Sequence, residues 1–187
     1  TNAFAYLQDI GSELIARQRV LREVGTPDEE ISTGHFEVRQ IAPGWYPLDQ
    51  YVARNVDALG VQDRITVVMS LLSVVAELHR VNVTHRDLGP RSIWIGGHSD
   101  LALTGFMSCQ LPDKTTVMDW LKDLRGYAGF LPEDAHGNPS TGRQRDVYSC
   151  AYLSAQILTG EVPKSADVEA TIAALPAEMT SLADWLR

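Results

Sequence analysis

The feature that most constrains this chain is the stretch Val83-Thr84-His85-Arg86-Asp87-Leu88-Gly89-Pro90-Arg91-Ser92-Ile93-Trp94-Ile95. Its three adjacent polar residues, His85, Arg86 and Asp87, lie between a helix-spaced apolar run upstream and the apolar triplet Ile93, Trp94 and Ile95, which has the character of a short strand. The upstream run, from Arg64 to about Arg80, puts Ile65, Val68, Met69, Leu72, Val75, Ala76 and His79 on one face, with Asp63 as the expected N-cap. That stripe is expected to be core packing rather than a cofactor surface.

Three further landmarks follow in order. Eighteen residues after Asp87 stands Gly105, within Leu103-Thr104-Gly105-Phe106-Met107. Leu131-Pro132-Glu133 comes next, and Asp146-Val147-Tyr148-Ser149 then opens an apolar run ending Leu158-Thr159-Gly160-Glu161-Val162-Pro163. Together these resemble the large lobe of a protein kinase. His85, Arg86, Asp87 and Leu88 match the catalytic-loop pattern H-R-D-L-x-x-x-N, and Phe106 matches the phenylalanine of D-F-G. Leu131-Pro132-Glu133 resembles the A-P-E end of the activation segment, and the run from Asp146 the buried central helix. The resemblance implies an α+β protein-kinase-like fold, mainly the α-helical C-lobe, with a truncated N-lobe of helix C plus one or two strands. Residues 1–44 would be the N-lobe remnant with its hinge, and 45–187 the C-lobe, truncated before its last helix.

The departures from the family pattern fall on groups that would handle metal and phosphate. Ser92 stands where the resemblance implies a magnesium-binding asparagine, Gly105 where it implies the magnesium-binding aspartate, and Gly89 where Ser/Thr kinases usually carry a phosphate-contacting lysine. Magnesium requires oxygen ligands in near-octahedral array; glycine offers no side chain and serine one neutral hydroxyl. Removing even one preorganised charge-stabilising group typically costs about a hundredfold or more in rate. The expectation is a catalytically inactive domain, a pseudokinase acting as a protein-binding or regulatory module, with no cofactor. The alternative is a fragment of an active ATP-dependent Ser/Thr protein kinase with atypical metal-binding residues, and only that alternative implies ATP and magnesium.

The resemblance also assigns structural roles. Asp87 keeps the catalytic-base position as a vestige and is expected to accept backbone hydrogen bonds within its own loop. Arg86 is expected to anchor the activation segment, and Asp146 to cap its helix and bind the loop backbone. His85 and Phe106 would stack with Leu21 as a column linking the lobes. Glu133, whose usual arginine partner comes late in the family, has Arg143 and Arg145 as local candidates.

Upstream, Phe4, Leu7, Ile10, Leu14, Ala16, Val20, Leu21 and Val24 recur at helical spacing, predicting one helix over 4–24 that Gly25 and Pro27 end. By resemblance this is helix C, whose glutamate position falls on Arg17 in one register and on Glu13 in the other. Only three residues precede Phe4, too few for a glycine-rich phosphate loop or a lysine-bearing strand. Leu7, Leu14 or Leu21 would therefore be left uncovered, pointing to a protein partner or self-association over this helix. His35 to Ile41 predicts a strand, Ala42-Pro43-Gly44 the hinge, and Trp45 to Val52 a short helix with Asp49 exposed and the Trp45 ring packed against the hinge. Val117, Met118, Trp120, Leu121 and Leu124 predict a helix within 115–124 packed over the peptide-docking region; 166–175 and 180–186 read as two more helices.

Charge and composition narrow the function classes. A net charge of −8 and a pI near 5.0 leave no basic field for nucleic acid or an anionic membrane. No apolar run reaches the roughly 18 residues a membrane span requires, so this segment is expected to be cytoplasmic. Cys109 and Cys150 lack metal or disulfide-framework spacing and read as small apolar residues in a reducing compartment. His35, His79, His85, His98 and His136 show no zinc spacing. Ser92 and Ser149 lack a nucleophile-elbow pattern, and Gly96-Gly97 reads as a turn.

Overall fold

Two apolar helices with few helix breakers set the centre of the molecule: α4 (Val61–Arg80) and α5 (Gly142–Thr159) pack against each other. They belong to a computed structural model that describes residues 3–21, 23–25, 38–55, 58–97, 100–112 and 141–160. Around them run α1 (Ala3–Asp9), α2 (Glu13–Ala16), β1 (Glu23–Gly25), β2 (Val38–Arg39), β3 (Tyr46–Pro47), α3 (Leu48–Asn55), β4 (Ile93–Ile95) and β5 (Leu101–Leu103). β3, β4 and β5 form an antiparallel sheet in that order, with Tyr46 opposite Ile95 and Ile93 opposite Leu103. β1 and β2 make a separate antiparallel pair. The helices expected within 115–124, 166–175 and 180–186, and Glu133, lie outside the described residues.

The N-terminal segment corrects the expectation of one helix over 4–24. α1 ends at Gly11, which is left-handed (φ +63°), with Ser12 N donating to Leu7 O and Gly11 N to Gln8 O. This double closure is the Schellman stop, for which glycine is the favoured residue. Ser12 then caps α2 by accepting from Leu14 N. α2 stops one turn later through the same pair of bonds, Arg19 N to Leu14 O and Gln18 N to Ile15 O, with Gln18 in the glycine role at φ +55°. Beyond it the chain is extended: Leu103 N donates to Arg19 O and Leu21 N to Leu103 O, so residues 19–21 run beside β5, and β1 replaces the predicted last helical turn. Apolar spacing carried smoothly across Gly11-Ser12 and hid the break.

The same segment is covered. Leu7 and Leu14 are buried, Leu21 is half-buried, and Val20 enters the core beside Leu103. An uncovered leucine face, the reason for expecting a partner over 4–24, is absent at Leu7 and Leu14.

Other boundaries shift for local reasons. α4 begins at Val61, so Asp63 sits inside the first turn and reaches back to accept from Gly60 N at 3.2 Å. Its buried arc is Val67, Val68, Leu71, Val74, Val75 and Leu78, turned from the expected stripe, and Met69 is 57% exposed. α4 ends on a third Schellman stop, with Asn82 left-handed and Val83 N donating to Leu78 O. α5 starts at Gly142 under a Thr141/Gln144 capping box, which makes Asp146 an interior helical residue rather than its cap. α3 starts at Leu48, after β3, and Asp49 is half-buried. Of the strand expected over 35–41, Val38–Arg39 is present and 35–37 lie outside the described residues. Gly96 turns β4 towards β5, and a side chain there would collide with the Trp45 ring at 2.5 Å, so only glycine lets that ring lie flat against the turn.

Candidate functional site

The loop from Val83 to Ser92 is held from below by one carboxylate. Asp146, fully buried on α5, accepts from His85 N at 2.8 Å and Arg86 N at 2.7 Å, and takes a third donor, His79 Nε2 on α4, at 2.9 Å. A buried carboxylate is tolerable only when donors surround it. Here they come from two elements, which locks α4, α5 and the loop together. The clamp also holds Arg86 in a left-handed conformation, φ +68°, that a non-glycine residue rarely adopts unaided. Arg143 adds a second tie between the helices, donating from Nη2 to His79 O and Asn82 Oδ1.

His85 is fully buried behind the loop. Its Nε2–H donates to Thr104 O at 2.7 Å and its Nδ1 accepts from Asp87 N at 3.3 Å, a pairing that suits the neutral ring with its proton on Nε2. Phe106 packs on it with ring centroids 4.6 Å apart. Leu21, expected as the third member of this column, is half-buried and donates its backbone N–H to Leu103 O at 3.1 Å. Arg86 Nη2 donates to Gln110 Oε1, and the backbones of Thr84 and Gln110 pair in both directions, so the start of the segment after Gly105 is fastened to the loop. Gly142 is the close-approach point: a Cβ there would lie 2.6 Å from Thr84 Oγ1 and 3.0 Å from Arg86 Nε.

Asp87 corrects the expectation of a buried backbone acceptor. It is exposed, and its carboxylate has no hydrogen-bond or ion-pair partner among the described residues, because Asp146 has taken the loop's donors.

Ser92 and Gly105 are brought together. A Cβ on Gly105 would sit 3.5 Å from Ser92 Cβ, and Thr104 N donates to Ser92 O at 2.8 Å. Ser92 Oγ, however, is engaged locally: it accepts from Gly89 N at 2.8 Å and donates to Gly89 O at 2.9 Å. Gly105 is left-handed, φ +80°, where it starts the 3-10 turn Phe106–Ser108. One committed hydroxyl and one bare backbone position do not make the oxygen cage that magnesium requires, so this donor set does not fit the ion. Among the described residues no group of three or more His, Cys, Asp or Glu could hold a metal ion.

The rival residues of the N-terminal segment meet each other at the surface, where Arg17 Nη2 pairs with Glu13 Oε2 at 2.7 Å and both are about two-thirds exposed. Sequence reasoning missed His79, which it placed among core residues; its position in the last turn of the helix, facing an aspartate on another element, has no local sequence signal. Cys109 and Cys150 are both free and buried. No helix among the described residues is long and apolar enough to cross a membrane.

No protein-family model matches the chain. It is similar to serine/threonine-protein kinase PrkC of Bacillus subtilis, 26% identical over 140 residues that cover 74% of this chain and 21% of that protein. It is 32% identical over 113 residues to the probable serine/threonine-protein kinase pknA2 of Bifidobacterium longum, covering 60% of this chain and 15% of the relative. The human phosphorylase b kinase gamma catalytic chain, liver/testis isoform, is 28% identical over 123 residues, which are 62% of this chain and 29% of that one. The chain thus spans between a seventh and a third of the length of these curated relatives.

Proposed function

The chain is a protein-kinase-like domain of α+β fold related to Ser/Thr protein kinases, and from that premise we propose that it is catalytically inactive, a pseudokinase serving as a protein-binding or regulatory module. The observation that carries this reading is the pair Ser92 and Gly105. The first spends its hydroxyl on Gly89 and the second has no side chain, and by the resemblance of the sequence the two would stand where the family holds magnesium. Phosphoryl transfer depends on positioning and on cations that neutralise phosphate charge, so a base at Asp87 would have little to assist. The kept residues His85, Arg86, Phe106 and Asp146 act as structural anchors of loop and helices. In this reading residues 1–44 are the smaller-lobe remnant and 45–187 the larger lobe. The two free, buried thiols suit a reducing compartment such as the cytoplasm.

One observation favours a second reading, a fragment of an active Ser/Thr kinase with atypical metal-binding residues: the Asp87 carboxylate is exposed and has no partner among the described residues, as suits a general base. Thermal unfolding of the intact protein with ATP, with and without magnesium or manganese, separates the two. Inactivity predicts no metal-dependent shift. A gain of several degrees, as ligand binding to the native state demands, together with phosphate transfer lost in Asp87→Asn, would establish the enzyme.

A further inference from the structure

We draw no further inference here: the strongest candidate, the apolar groove of about 460 Å³ between α4 and α5 lined by Leu72, Val75, Val147 and Cys150, carries nothing because nothing in the described structure shows what covers it.

Discussion

Ser92 and Gly89 close a turn on each other: one hydroxyl oxygen accepts from Gly89 N at 2.8 Å and donates to Gly89 O at 2.9 Å. Both partners are buried, and removing the hydroxyl leaves the Gly89 N–H without its acceptor, while Gly89 O keeps the backbone bond from Ser92 N at 3.0 Å. Ser92→Ala should therefore destabilise the domain by about 1–3 kcal/mol, read as a lower urea midpoint at unchanged slope. If Ser92→Ala melted like the wild type, the hydroxyl would be free for another use, and the case for an inactive site would weaken.

The Asp146 clamp predicts a graded series. Asp146→Ala strands the buried His85 N–H, the part-buried Arg86 N–H and His79 Nε2 at once, and should cost about 3–5 kcal/mol, the scale of breaking a buried charged network. His79→Ala removes one of three donors and should cost clearly less. In a double-mutant cycle the two substitutions should be strongly non-additive, since they share one carboxylate. Additive losses would mean that His79 contributes by packing alone.

Helix ends give a prediction of opposite signs. Gln18 and Gly11 perform the same left-handed stop, but a side chain at positive φ costs roughly 1–2 kcal/mol. Gln18→Gly should raise stability by about 1 kcal/mol, less some entropy gained by the unfolded chain, whereas Gly11→Ala should lower it by a similar amount. Paired thermal melts check this, and a destabilising Gln18→Gly would show that the glutamine side chain supports the fold in a way its backbone does not explain.

These residues also show what the sequence could reveal. The catalytic-loop pattern, the strand Ile93–Ile95 and the long apolar helices were legible because burial imposes a period on many residues at once. The break at Gly11-Ser12 was legible in principle, as a glycine followed by a capping serine, but apolar spacing across it fitted a single helix equally well. Gln18 gave no warning, since nothing about glutamine announces a left-handed backbone. At the site, the small residues Ser92 and Gly105 could be read directly. The resemblance led to Asp146 as an acceptor for the loop backbone, but that Asp87 would be left in solvent could not be read, because how the loop's donors are shared between two acids is decided by how α5 packs, across a separation of sixty residues.

The buried thiols make the last prediction, one of pH. Burial pushes the Cys109 thiol up to about 11, and burial raises Cys150 further, with the Asp146 carboxylate adding to the effect. Folding therefore favours the neutral thiol. In the unfolded chain the same groups ionise near their ordinary value of about 8.5, so the unfolded state loses protons first as pH rises. The contribution is fully present below that value and is lost progressively between about 8.5 and 11 as alkali pulls the equilibrium towards the unfolded thiolate. Stability at pH 10 should fall relative to pH 7.5 by more in the wild type than in Cys109→Val, which lacks the first thiol but keeps every tyrosine and lysine that titrates in the same range. Iodoacetamide at pH 8 should leave both cysteines unmodified in the native protein and alkylate both in denaturant, because the thiolate is the reactive form. Rapid native alkylation, or equal alkaline losses in the two proteins, would show that Cys109 is not shielded as its burial implies.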